Sequence, residues 1–223
     1  MSSSNSREAQ FEHIVSALRN SLGAASGRVR RVFLDAIRKT AVEFQFVAIG
    51  LRQACLVDSV SVDRLILDDV VGQLRKISSG FEGTFVLQEP SSSQVFLVNA
   101  NILLAELRNG RPTETHFITA SDVPKRIPCP RGVRSALSFL EERFRDVGAS
   151  DCIIGVDLPP MSTSDAIALA GYLLEYPVSY APVLDTAQSQ VFLSNVPLKL
   201  VNVSLELAGR RSLSPVRLPM WWL

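Results

Sequence analysis

The feature that most constrains this chain is a pattern that occurs twice. Ala54-Cys55-Leu56-Val57-Asp58 is followed by a helix-like stretch and then by Gln94-Val95-Phe96-Leu97-Val98-Asn99. Asp151-Cys152-Ile153-Ile154-Gly155-Val156-Asp157 is followed by another such stretch and then by Gln190-Val191-Phe192-Leu193-Ser194-Asn195. Cys152 follows Cys55 by 97 positions, and Gln190 follows Gln94 by 96. Motif, order and spacing agree, which predicts an internal duplication and a pseudo-two-fold body.

Each half reads as β-α-β-β-β. In the first, 54–57 is a short strand, 59–63 offers cap chemistry, and Leu65, Ile66, Val70, Val71 and Leu74 have helical spacing. Strands are expected at 84–88 and 94–98, joined by a loop at 89–93. The run 102–107 is too short to show a period, and the duplication makes it a strand. In the second half, 152–156 is a continuous apolar strand. Pro159-Pro160 turns the chain, and Ser162 or Thr163 caps a helix with Asp165 in its first turn. The stretch 177–183 is extended, 185–189 turns, 190–193 returns, and 198–207 alternates as a long strand. Strands joined by a helix should be parallel.

The expected fold is therefore α/β: internally duplicated β-α-β-β-β units forming a mixed sheet, or two related sheets, covered by helices. The expected organisation is a disordered N-terminus (1–8), a helical cover (9–51), the first unit (52–109), a linker and helix (110–150), the second unit (151–209) and a basic, Trp-containing tail (210–223). The linker is Pro-containing, with one strand at 116–119 and a helix marked by Val133, Leu137, Leu140 and Phe144.

Totals exclude several classes. A formal charge of +1 does not suggest an overall attraction to nucleic acid or anionic membrane. Two basic clusters, Arg28/Arg31/Arg38/Lys39 and Lys125/Arg126/Arg131/Arg134, read as solvated helix and loop faces, so nucleic acid is not the expected partner. Three cysteines without a CxxC and two histidines predict a reducing compartment, no metal site and no cofactor. The polar, Ser-rich start predicts no secretory leader, and no apolar run reaches the ~18 residues that span a bilayer. A soluble intracellular protein, cytoplasmic or nuclear, is expected.

The phosphate-loop, dinucleotide, nucleophile-elbow and zincin motifs are absent. Asp58 and Asp157 stand at the expected carboxyl ends of parallel strands, where α/β proteins bind ligands. Brought together, they would hold Mg²⁺ or share a proton; apart, they cap the loops that follow. Asn99 and Asn195 fit turn roles, and Cys55 and Cys152 small core positions. Cys129, between two prolines and near Lys125, Arg126 and Arg131, is the thiol best placed for activation. Tyr176 and Tyr180 fit a pocket rim or the core edge. Trp221 and Trp222 stand just before the last residue, Leu223, where fraying polar residues are usual, and so fit either folding back or docking on a partner.

Ala54-Cys55-Leu56-Val57-Asp58, Gly171-Tyr172-Leu173-Leu174-Glu175-Tyr176-Pro177-Val178-Ser179-Tyr180 and Phe192-Leu193-Ser194-Asn195-Val196-Pro197-Leu198 together resemble an uncharacterised eukaryotic family, the one typified by the human chromosome 1 open reading frame 74 protein. The resemblance covers roughly residues 50–207 and implies a domain of unknown function, without catalytic residues to carry over. The functional expectation is a non-enzymatic protein-interaction module with a protein partner. The alternative is a small-molecule or nucleotide-processing enzyme using Asp58 and Asp157 as metal ligands or acid/base groups.

Overall fold

The computed structural model describes residues 2–26, 31–60, 62–108, 115–120, 124–145 and 154–182. It is α/β, with six helices and two mixed sheets among the described residues. The larger sheet has the order β1-β3-β2-β6, from β1 (Ala54–Leu56), β2 (Thr84–Glu89), β3 (Gln94–Asn99) and β6 (Gly155–Asp157). The smaller has the order β5-β4-β7, from β4 (His116–Ala120), β5 (Arg126–Ile127) and β7 (Val178–Pro182).

Side-chain alternation along the central strands explains why the larger sheet needs cover on both faces. Phe85, Leu87, Phe96 and Val98 enter one core; Val86, Val95 and Leu97 enter the other. The second core is closed by α1 (Ser2–Ser26), α2 (Arg31–Ala48) and α3 (Arg64–Ile77), through Leu18, Phe44 and Val71 among others. The first is closed by α4 (Ala100–Arg108), α5 (Arg131–Arg145) and α6 (Thr163–Leu173), through Leu103, Leu140 and Leu169. Phe117 and Ala181 bring the smaller sheet into this first core.

Local chemistry sets the element boundaries. Asp63 caps α3 by accepting the Leu65 N–H at 2.8 Å, and Arg75 and Lys76 complement the dipole in its last turn. Leu67, Val70, Val71 and Leu74 form its buried stripe. The β2–β3 hairpin is tied by the buried Glu89 carboxylate, which accepts from the backbone of Ser91 (2.8 Å) and Ser92 (2.6 Å) and from the Ser92 hydroxyl (2.5 Å). Burial alone would raise the Glu89 pKa; these hydrogen bonds outweigh it and hold the carboxyl below its ordinary value.

Four expectations are corrected. The run 102–107 lies in α4, not in a strand. Asn99 starts that helix by accepting the Ile102 N–H, and Ala, Leu and Glu at its positions favour a helix. Residues 2–8 lie in α1 rather than in a disordered N-terminus. The stretch read as a linker holds the expected strand (β4) and helix (α5), but it also supplies β5, and β4 and α5 enter the core rather than merely connecting two halves. Finally, β6 and β7 do not share a sheet as β1 and β2 do: β6 pairs parallel with β2, and β7 pairs parallel with β4. β1 and β2 run the same way, each antiparallel to β3 between them. The described residues thus repeat a helix–strand unit, α3–β2 and α6–β7, without showing the whole duplication. Cys152, the 190–193 and 198–207 strands and the tail lie outside the described residues.

Candidate functional site

β1, β2 and β6 run in one direction, so Asp58 and Asp157 come to the same end of the larger sheet, as expected. They do not come together. β1 and β6 are the two outer strands, with β3 and β2 between them. At ~4.8 Å per strand the separation is about 14 Å, too far for one ion or one proton to be shared. The partners of each are local. Asp58 is exposed and accepts from the Ser59 hydroxyl at 3.1 Å. Asp157 pairs with Arg64 at 3.2 Å, and the same guanidinium pairs with Asp68 at 2.8 Å.

Arg64 therefore rivets the start of α3 to the end of β6. Gly155 makes room for it: a Cβ there would collide with the Arg64 guanidinium and lie 2.7 Å from the Asp68 carboxylate. Partial burial raises the Asp68 pKa, and Arg64 opposes that shift. The guanidinium fork at this position was not singled out from the sequence. Its spacing to Asp68, four residues along a helix, was visible, but the partner on β6 was not.

A second polar cluster lines the margin of β1. Glu43 on α2 pairs with Arg52 at 2.5 Å, and the Glu175 carboxylate accepts the Gln53 N–H at 3.0 Å. Tyr176 is half-buried beside them. Burial pushes its hydroxyl pKa up; Arg52 opposes this, and Asp58 and Glu43 add to it. The Tyr176 backbone is held between Gly171, which accepts its N–H, and Thr115, whose hydroxyl donates to its carbonyl at 2.8 Å. Tyr176 thus belongs to a structural junction between α6, β4 and β1. The Gln53 side chain is fully buried there, without a hydrogen-bond partner for its amide.

Tyr180 projects from β7 and is partly exposed, next to Val178 on the same face. Trp221 and Trp222 lie outside the described residues. Cys55 is a core residue whose thiol is driven well above its ordinary pKa by burial. Cys129 is half-buried, and burial raises its pKa more than Arg134 lowers it, so the expected activation of this thiol is not found. Asn99 is buried, and its side chain serves as a cap to α4 while donating to the Val47 carbonyl at 3.0 Å; Asn195 lies outside the described residues.

Two surface depressions lie elsewhere. One of about 470 Å³ is lined by Gln10 and His13 of α1, Ile49, Ile77 and Phe81. The other, about 590 Å³, lies along Arg131, Arg134, Phe139 and Glu142 of α5. Neither is lined by Asp58, Asp157, Tyr176 or Tyr180. Among the described residues, no group of three or more His, Cys, Asp or Glu side chains is arranged to hold a metal ion. No helix among them is long and apolar enough to cross a membrane. No protein-family model, no functionally described protein and no solved structure matches the chain.

Proposed function

We propose that this chain is a non-enzymatic protein-interaction module, working in the cytoplasm or nucleus. The observation that carries the reading is the placement of Asp58 and Asp157 on opposite outer strands, each engaged with its own neighbours. A catalytic centre needs its groups within reach of one substrate atom. The alternative enzyme built on these two carboxylates loses that geometry, and the surface depressions offer no substitute pair. Membership of the family typified by the human chromosome 1 open reading frame 74 protein forms part of the proposal and rests on the three sequence segments that resemble it.

Two adjacent tryptophans at the end of the chain are the kind of large, rigid anchors that dominate protein interfaces. The test is a quantitative pull-down from native lysate, comparing the full chain with one ending at Pro219. The expected result is a stoichiometric partner retained by the full chain and lost on truncation, at equal thermal stability. Asp58→Asn and Asp157→Asn should leave capture unchanged. Failure of both forms to retain any stoichiometric partner would overturn the proposal.

A further inference from the structure

The depression of about 470 Å³ lies between α1, the last residues of α2 and the end of α3, and its size falls within the ~300–1,000 Å³ that small-molecule sites occupy. Its inner side is apolar: Ile14, Leu74 and Phe81 line it and are fully buried. Two further apolar side chains in the lining stand open to solvent, Ile49 at 48% exposure and Ile77 at 53%. A buried apolar floor continued by exposed isoleucines is a surface that a hydrocarbon chain would remove from water.

The polar part of the lining is Gln10 and His13 from α1, with Ser78 and Ser79 from the turn that follows α3. Among the described residues, no carboxylate, ammonium or guanidinium group lines the pocket. Gln10 donates from Nε2 to the Ser78 hydroxyl oxygen at 2.8 Å. That bond fixes both side chains and leaves the Ser78 hydrogen to donate and the Gln10 amide oxygen to accept. Gly80 lets the pair sit close to α2: a Cβ there would lie 3.4 Å from Gln10 Nε2 and 3.2 Å from the Ala48 carbonyl oxygen. Two helices, α2 and α3, end at this place, so their last carbonyls add acceptors and disfavour an anion. Arg75 and Lys76 in the last turn of α3 already answer its dipole, which disfavours a cation.

We propose that this pocket binds an uncharged amphiphile, an aliphatic chain whose head both donates and accepts hydrogen bonds, as a hydroxyl does. The chain lies between Ile49 and Ile77 over Ile14, Leu74 and Phe81, and the head bonds to Gln10 and Ser78. A charged head would be taken out of water without a counter-charge, which opposes binding. Neither Asp58 nor Asp157 lines the pocket, and binding there requires no protein partner.

The measurement is a titration of the full chain with 1-octanol, and with octanoate and octylammonium as charged counterparts of the same chain length, followed by amide chemical shifts in NMR. 1-Octanol should shift the Gln10, His13, Ser78, Ser79 and Gly80 signals saturably, with a Kd below about 1 mM. Each charged counterpart should bind roughly tenfold more weakly. Ala9 lines the pocket and is exposed, so Ala9→Trp should fill the space without disturbing the core and abolish the 1-octanol shifts. Absence of saturation by 1-octanol up to its solubility limit in the natural chain would overturn the proposal, whether or not the variant folds. So would shifts spread over both cores, charged counterparts that bind as tightly as the alcohol, or undiminished binding to a folded Ala9→Trp chain.

Discussion

Glu175 has φ +58°, in the left-handed region that favours glycine. The reason is a Schellman ending to α6: the Glu175 N–H donates to the Tyr172 carbonyl, and the Tyr176 N–H to the Gly171 carbonyl. A glycine would fit the backbone better, but it would lack the side-chain oxygen that accepts the Gln53 N–H just before β1. Strain at one residue is thus offset by a bond between two distant elements. Glu175→Ala keeps the strained backbone and loses the bond, and should cost about 1–2 kcal/mol. Glu175→Gly loses the same bond and should recover about 1 kcal/mol of that through its easier backbone. Urea denaturation midpoints check both, and an alanine variant as stable as the natural chain would contradict the account. None of this was legible in the sequence. The stretch 171–180 showed where a helix stops, but its partner Gln53 lies 122 positions away.

At the scale of elements, α6 shows how sequence pattern and packing divide the work. Ser162 caps it, accepting the Asp165 N–H at 3.1 Å while donating to the Asp165 carboxylate at 2.7 Å. A cap at Ser162 or Thr163, with Asp165 in the first turn, is readable from the sequence alone. The fit of α6 against β7 is not. Gly171 sits where an added Cβ would lie 2.8 Å from the Ser179 Cβ and collide with its hydroxyl, which donates to the Ala168 carbonyl at 2.9 Å. Helix propensity favours Gly171→Ala by about 1 kcal/mol. Overpacking opposes it by about 1–3 kcal/mol, so the variant should be less stable than the natural chain. Thermal unfolding decides the sign: a raised melting temperature would mean that β7 does not press on α6 as described. α4 carries the complementary lesson, because its short apolar run gave no period and analogy with the other half pointed to a strand. Helix propensity and the Asn99 cap decided otherwise.

Among the described residues the larger sheet carries a hydrophobic core on each face, so its central strands β2 and β3 belong to both. Leu18 in the core under α1 and Leu140 in the core under α5 are each fully buried. Leu18→Ala and Leu140→Ala should each cost about 2–5 kcal/mol. Because the cores share strands, each variant should still unfold in one cooperative transition, seen alike by far-ultraviolet and near-ultraviolet circular dichroism. Two separate transitions would show that the faces fold independently. By itself the sequence determined the α/β class, the strands β2 and β3, the cap regions at 59–63 and 162–163, and the presence of carboxylates at strand ends. These depend on alternation, helical spacing and short-range hydrogen bonding, which act over a few residues. Only the tertiary structure decided that β6 joins β2 while β7 joins β4, that Asp58 and Asp157 stand at opposite margins, and that Arg64 pairs with Asp157. Strand order sets such distances, and strand order is chosen by which buried faces pack together across the whole chain, a competition that no local pattern records.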